Sequence, residues 1–391
     1  MSDNKPIRLG VAGLGTVGTA LIDNLNAGYE GIVGQAGRPL EVTAVTARNR
    51  QADRGPDLSG VAWADTPEDL ARRDDVDIVV ELIGGEGDPA YSMIMAALEA
   101  GKPVVTANKA LLAKHGAALA QEAEANGAAL AYEAAVAAAI PAVRTLRDSL
   151  AGAHVRAVYG ILNGTSNYIV SQMFATGRDF AEVLAEAQEK GYAEADPALD
   201  VDGGDAGHKL ALLSALAFGV QPRFKATELH GIRDLTLADL RAAGQRGYRI
   251  KLLARAARYG QEIAQQVAPC YIPLSHPLAA IDGVTNAVTL DAAPSGPIML
   301  SGSGAGGGAT ASAVMSDIIE LAQGIKRPAF GQPAGTLRQG HYVPMADMLD
   351  RLAGSDRAQA YADILQINEI GKEGGDRHDG STGAADAGTG A

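Results

Sequence analysis

Two hydrophobic periodicities alternate along the first third of the chain. Ile7–Ala12 is a short apolar run, the glycine-rich segment Gly13–Gly18 follows at once, and Thr19–Asn26 then takes helical spacing. Leu40–Thr46 has strand character. Asp77–Ile83 is nearly all apolar, as suits a parallel strand covered on both faces. Pro89–Ala100 reads as a helix closed by Gly101, Lys102–Ala107 as a strand, Lys109–Asn126 as a helix and Ala128–Ala134 again as a strand. Strands alternating with helices across residues 7–134 predict an α/β domain with a doubly wound parallel sheet.

The pattern changes near Pro141. Val155–Leu162 reads as a strand, Asn163–Met173 begins a helix, and Phe180–Lys190 is a charged amphipathic helix. Gly191–Gly204 is an acidic loop that leads into a helix over Asp205–Phe218. Residues 245–300 alternate in short strand-like pieces, so the middle of the chain reads as a second, α+β domain with a mixed sheet. Ser301–Gly308 is a second glycine run with an apolar helix, Thr310–Gly324, behind it. Met345–Leu365 has helical character, and Gly371–Ala391 carries almost no apolar anchor and reads as disordered.

Charge narrows the function classes. Against 33 Lys and Arg stand 46 Asp and Glu, a net −13. Broad nucleic-acid contact needs clustered cations, so nucleic acid is not an expected partner. The single cysteine, Cys270, can form neither an internal disulfide nor a cysteine-based zinc site, and reads as a small buried hydrophobe. No uncharged run approaches the length of a membrane helix, and the N-terminus lacks an apolar leader. A cytoplasmic protein with no membrane partner is the expectation.

Gly13-Leu-Gly15-Thr-Val-Gly18 fits G-x-G-x-x-G, and so do Gly302, Gly304 and Gly307. Only the first lies between a strand and a helix at the opening of a βαβ pattern, the Rossmann-type setting of a dinucleotide site. There Gly13 permits the tight turn, Gly15 admits the pyrophosphate to the backbone, and Gly18 lets helix pack on strand. Thr16 and Val17 complete the cofactor-binding loop at the helix N-terminus. The second strand runs into Thr46-Ala47-Arg48, with no carboxylate where an NAD enzyme usually holds the ribose 2′-hydroxyl. A guanidinium suits a 2′-phosphate, so Arg48 favours NADP, with NAD left open.

Five carboxylates crowd the acidic loop: Glu194, Asp196, Asp200, Asp202 and Asp205. Their spacing is not that of a calcium-binding EF-hand. A cationic substrate group and a solvated acidic turn both remain open. Asp205 and Lys209 are four apart on a predicted helix and share a face. Lys209 is either half of an ordinary ion pair or a proton donor to a reducible carbonyl. Lys109 follows a predicted parallel strand at its carboxyl end, where ligand crevices of such sheets open.

Taken together, these residues resemble homoserine dehydrogenase. The acidic segment carries the likeness through Ala187, Gly191, Glu194, Asp196, Pro197, Asp200, Gly203, Asp205 and Lys209. Further matches are Gly13–Gly18, Val104–Leu112, Gly160–Ile169 and Gly302–Thr310, so the resemblance covers about residues 5–330. It implies NAD(P)H-dependent, reversible reduction of L-aspartate 4-semialdehyde to L-homoserine, on the branch of amino-acid biosynthesis that leads to threonine, methionine and isoleucine. By position it makes Lys209 the general acid/base and has Asp205 orient Lys209 or the substrate. Glu194 would bind the substrate ammonium, and Lys109 would contact cofactor and substrate and share the catalytic proton chemistry. Gly191 and Gly306 would line the nicotinamide side. It also implies a monovalent cation, sodium, on backbone carbonyls of Glu133, Val136, Ala138 and Ile140. Here alanines stand between Val136 and Ile140 where the family commonly has glycine, and alanine restricts φ.

The resemblance divides the chain into a split Rossmann domain (1–140 with 306–330), a substrate and dimerisation domain (141–305) and a tail (331–391). The expected assembly is a homodimer or dimer of dimers. His341–Asp350 would be the remnant of a regulatory ACT domain's first strand, with no complete ACT domain and no aspartokinase fusion. The alternative readings are a silent dinucleotide sensor and a dehydrogenase of another small amino or hydroxy acid.

Overall fold

A computed structural model describes residues 5–52, 54–355, 358–361, 364 and 367–369. The stretch Gly371–Ala391, expected to be disordered, lies outside them. Six parallel strands form the first sheet: β1 (Ile7–Ala12), β2 (Leu40–Thr46), β3 (Ala62–Trp63), β4 (Ile78–Glu81), β5 (Val104–Thr106) and β6 (Leu130–Ala131), in the order β3-β2-β1-β4-β5-β6. Helices α1 (Thr16–Ala27), α2 (Tyr29–Ala36), α3 (Pro67–Arg72), α4 (Ala90–Glu99) and α5 (Lys109–Ala125) cover it. Strands β1, β4 and β5 are rich in Val and Ile, as suits strands buried on both faces. The order reverses between β1 and β4, which opens a crevice beyond their carboxyl ends.

Ala128–Ala134, expected as one strand, yields only two strand residues, and a short helix α6 (Ala134–Ala137) follows. Another short helix, α7 (Ala142–Arg144), leads to β7 (His154–Ile161), α8 (Gly164–Thr176), α9 (Phe180–Glu189), α10 (Ala198–Val201) and α11 (Gly204–Phe218). Next come β8 (Glu228–Leu229), α12 (Leu237–Gln245), β9 (Tyr248–Tyr259), β10 (Glu262–Pro273), β11 (Thr285–Ala293) and β12 (Gly296–Ser303). The short pieces expected over 245–300 are therefore four full strands. β9 and β10 pair over twelve residues each. The second sheet runs β12-β11-β7-β9-β10-β13 and is mixed, as expected.

From β12 the chain crosses back. Helix α13 (Gly307–Ala322) packs beside α1 and buries Ala311, Val314 and Ile318 against the same core as Leu9, Val11 and Leu21. The tail then returns to the second sheet. β13 (His341–Tyr342) pairs parallel with the start of β10, and α14 (Met345–Ala353) packs on β9 and β10, its Met345, Met348 and Leu352 sharing one buried core with Tyr159, Leu253 and Ala268. A final strand, β14 (Asn368–Glu369), also pairs with β10. His341–Asp350 thus lies on the second sheet, through β13 and the start of α14. The helix expected over 345–365 ends at Ala353, where Gly354 stops it.

Candidate active site

The first glycine loop has the shape a dinucleotide cradle requires. Gly13 holds φ +96°, and a Cβ there would lie 2.4 Å from the Leu82 carbonyl oxygen. A Cβ on Gly18 would lie 2.1 Å from the Gly13 oxygen. Both positions exclude every larger residue. At Gly15, by contrast, an added Cβ would meet no atom within 4 Å, so that face of the loop is open. Gly15 starts α1, followed by the exposed Thr16 and half-buried Val17, and free N–H groups at such a terminus suit a pyrophosphate. The residues present therefore fit the cofactor.

Beyond β2, Arg48 is exposed and has no hydrogen-bond or ion-pair partner among the described residues. Its neighbours are engaged. Arg50 pairs with Asp65 at 2.6 Å, and Arg50 and Arg54 both lie over the Trp63 ring, at 5.8 and 5.7 Å. At the end of β4, buried Glu81 accepts hydrogen bonds from the Ile83 and Gly84 N–H groups (2.8 and 2.9 Å) and from the Thr106 hydroxyl. It fixes the loop across the crevice, a role the sequence reading did not find.

Asp205 gathers the charged residues. It lies in the first turn of α11, where a carboxylate meets the positive end of the helix. Its Oδ2 accepts a bond from Lys209 Nζ at 2.8 Å, and its Oδ1 lies 3.1 Å from Lys109 Nζ. Lys209 also donates to the Leu162 carbonyl at 2.8 Å. Lys109 begins α5, the helix after β5 of the first sheet, and Lys209 lies on α11, so the carboxylate bridges the two helices. Burial alone would raise the Asp205 pKa. The two ammonium groups and the bonds from Lys209 and Asn163 outweigh that and hold it far below the usual carboxylate range.

Asn163 ties in a second carboxylate. Its Nδ2 donates to Asp205 Oδ2 (2.9 Å) and Asp200 Oδ1 (2.7 Å), while its Oδ1 caps α8 by accepting from Ser166 N. Burial pushes Asp200 upward, and the nearby Asp205 charge adds to that. The acidic loop is thus not one cluster. Asp202 pairs with Arg233, Asp196 caps the Ala198 N–H, and Glu194 is exposed. Among the described residues no group of acidic, His or Cys side chains is placed to hold a metal ion. Gly191, at φ +71°, turns the chain into the Tyr192–Glu194 loop. Thr165 of α8 holds that loop through the Tyr192 carbonyl at 2.6 Å.

The 133–140 segment folds as a tight corner between the domains. Both Glu133 carboxylate oxygens accept main-chain bonds, from Val143 and Arg144, and its own N–H donates to Asp317 of α13. Ala138 reaches φ +45°, the only positive value among described non-glycine residues. Alanine has therefore not prevented the turn. Gly306, at φ +109°, begins α13 close to the first loop, and a Cβ on Gly307 would lie 2.9 Å from the Thr16 oxygen. His208 is a further residue the sequence reading missed. It stacks on Phe224 at 4.0 Å beside Lys209, and burial lowers its pKa. Its apolar-looking helix gave no signal for it.

A doubly wound sheet with a glycine cradle, together with a buried aspartate that bridges two lysines, defines a nicotinamide-dinucleotide-dependent oxidoreductase. Comparison with known proteins narrows the class. Residues 13–133 match the family model "Homoserine dehydrogenase, NAD binding domain", and residues 141–319 match "Homoserine dehydrogenase". The homoserine dehydrogenase of Neisseria gonorrhoeae is 44% identical over 319 residues, which are 82% of this chain and 73% of that one. That of Mycobacterium tuberculosis is 41% identical over 397 residues, 96% and 89% of the two chains. The crystal structure of the Thiobacillus denitrificans enzyme superposes with a TM-score of 0.83 at 41% identity, covering 87% of this chain and 80% of that one. A hyperthermophilic archaeal homoserine dehydrogenase in complex with NADPH superposes at 0.68 with 27% identity, covering 81% and 97%.

The chain belongs to the homoserine dehydrogenase family. It is an NAD(P)-dependent oxidoreductase acting on a CH–OH group in amino-acid biosynthesis, interconverting L-aspartate 4-semialdehyde and L-homoserine. A silent sensor and a dehydrogenase of another small acid are not favoured. No helix among the described residues is long and apolar enough to cross a membrane.

Proposed function

We propose that Lys209 is the proton donor and acceptor at the substrate oxygen, with Asp205 and Lys109 as its partners. The observation that supports this most is the bridging of both lysines by one buried carboxylate. An ammonium group has three N–H bonds. Two from Lys209 go to Leu162 and Asp205, so one remains for the substrate. The nicotinamide, once bound, would supply the hydride for reduction and receive it in oxidation. In reduction the carbonyl oxygen becomes an alkoxide and takes a proton from Lys209. In oxidation Lys209 receives that proton back. Lys109, about a third exposed, touches cofactor and substrate and connects the buried pair to solvent. The N-terminus of α8 and the loop carrying Glu194 take the two ends of the amino acid, Glu194 facing its ammonium. Gly191 and Gly306 border the nicotinamide.

The cofactor favoured on this reading is NADP, with Arg48 on the 2′-phosphate, since no carboxylate ends β2 and the neighbouring Arg50 is already paired. A sodium ion would rest on the main-chain oxygens of Glu133, Val136, Ala138 and Ile140. Beside them, the Glu133 carboxylate holds the main chain of Val143 and Arg144, one bond to each of its oxygens. The enzyme would work in the cytoplasm as a homodimer, or a dimer of dimers. In support, β12 is an edge strand in which no residue is fully buried.

Homoserine-dependent reduction of NADP and of NAD, followed by nicotinamide absorbance, tests this. Lys209→Ala should lower kcat by about 10²–10⁴-fold and leave cofactor affinity nearly unchanged. Unchanged turnover would remove Lys209 from the mechanism.

A further inference from the structure

Asn286 opens the inner stretch of β11, facing Gly302 of β12 and lying one residue before the Ala287–Ile161 pair with β7. Its side chain is 1% exposed, yet neither Oδ1 nor Nδ2 has a hydrogen-bond partner among the described residues. Two glycines close around it. A Cβ on Gly304 would lie 2.0 Å from its Cγ and Nδ2, and a Cβ on Gly164 would lie 3.4 Å from its Oδ1. Gly164 begins α8, the helix whose Asn163 cap reaches Asp200 and Asp205. Gly304 leads to Gly306 and to α13, which abuts the dinucleotide loop at Thr16. The carboxamide is therefore a wedge between the substrate side and the cofactor side.

A carboxamide in this position is out of place as mere packing. Leaving a buried polar group without partners is unfavourable, and leucine has nearly the same shape without that penalty. The polar group makes sense if its partners arrive in another state of the site. Main chain lies directly against it at Gly304, and no side chain restricts the peptide groups at Gly304 and Gly306. We propose that Asn286 is a positioning residue. When amino acid and dinucleotide are both bound, its carboxamide bonds the main chain of the Gly304–Gly306 turn and couples the two binding events. This rests on the assignment of α8 and the glycine turn to substrate and cofactor given above.

The test uses the full-length enzyme and the dead-end pair NADPH and homoserine. NADPH affinity is titrated by fluorescence with and without saturating homoserine, alongside kcat and Tm. In the unsubstituted enzyme homoserine should tighten NADPH at least about fivefold. Asn286→Leu should keep NADPH affinity alone within twofold and keep or raise Tm. It should abolish the tightening and lower kcat about 10–100-fold. A merely structural residue would instead lose Tm and activity together, with the coupling intact. If the leucine variant does not fold, Asn286→Asp, which keeps the shape but lacks the N–H donors, should show at most half of the coupling. Full coupling in either variant, or none in the unsubstituted enzyme, overturns the proposal. Absence of any homoserine turnover in the unsubstituted enzyme would overturn the functional reading beneath it, and with it this proposal.

Discussion

Two turns in this molecule share the pattern G-x-G-x-x-G and do different things. In the first, Gly13 and Gly18 are forced by backbone 2.4 and 2.1 Å away, and only Gly15 faces open space. In the second, the pressure falls elsewhere: Gly304 is closed by the Asn286 side chain, Gly307 by Thr16, and Gly306 is open at φ +109°. The first turn joins a strand to a helix of the same sheet and leaves a face free for a ligand. The second joins a strand of one sheet to a helix of the other and is filled by the protein. Pattern alone does not tell a cradle from a junction. What distinguishes them is which glycine would tolerate a methyl group.

That difference can be broken most severely at Gly18. Alanine there has backbone only 2.1 Å away, and the strand-to-helix turn cannot yield without losing its shape. Gly18→Ala should abolish NADPH binding and lower Tm by many degrees. Gly15→Ala is the matched control. Its methyl group meets no protein atom, so Tm should hold while NADPH affinity falls about tenfold or more, because the methyl group occupies the approach to the pyrophosphate. Calorimetry with a fluorescence titration separates the two. Equal loss of Tm in both variants would show that Gly15 also serves packing.

The first of these turns was legible in the sequence because strand, glycines and helix are contiguous, and every side chain there obeys its local rule. The acidic signature was legible as a list of residue types, but its geometry was not. Five nearby carboxylates separate once folded, because Asn163, Arg233 and a local cap each claim one or two. Long-range partners also hid β9 and β10. Lys251 and Arg255 interrupt the apolar run of β9, yet both are 1% exposed. Asp282, in the loop before β11, pairs with Lys251, and Gln266, on the facing strand β10, pairs with Arg255. In β10, Gln265, Gln266 and Pro269 also interrupt the apolar pattern. Asn286 had no signal at all: a lone asparagine in an apolar strand acquires meaning only when Gly164 and Gly304 close on it.

At the far end of the cradle, Arg48 sharpens the comparison at a smaller scale. It is exposed and unpaired among the described residues, so its removal should not disturb the fold. Arg48→Ala should weaken NADPH about 10–100-fold and NADH by less than twofold, since only the 2′-phosphate offers two acceptors to a guanidinium. Steady-state KM values for both cofactors decide it. An equal effect on both would place Arg48 outside the phosphate site.

The smallest effect is expected at a third turn, where the backbone demands what glycine gives and the sequence supplies alanine. Ala138 holds φ +45° and ψ −110° beside the Glu133–Asp317 contact that joins the first sheet to α13. A non-glycine residue in a sparsely populated region costs of order 1–3 kcal/mol. Glycine removes that strain but adds about 0.5–1 kcal/mol of unfolded-chain entropy. Strain is the larger of the two, so Ala138→Gly should stabilise the protein by up to about 2 kcal/mol. Urea unfolding monitored by circular dichroism measures it. A loss of stability would mean that the methyl group packs well enough to outweigh the strain, and that the corner between the domains is held by side chains more than by backbone conformation.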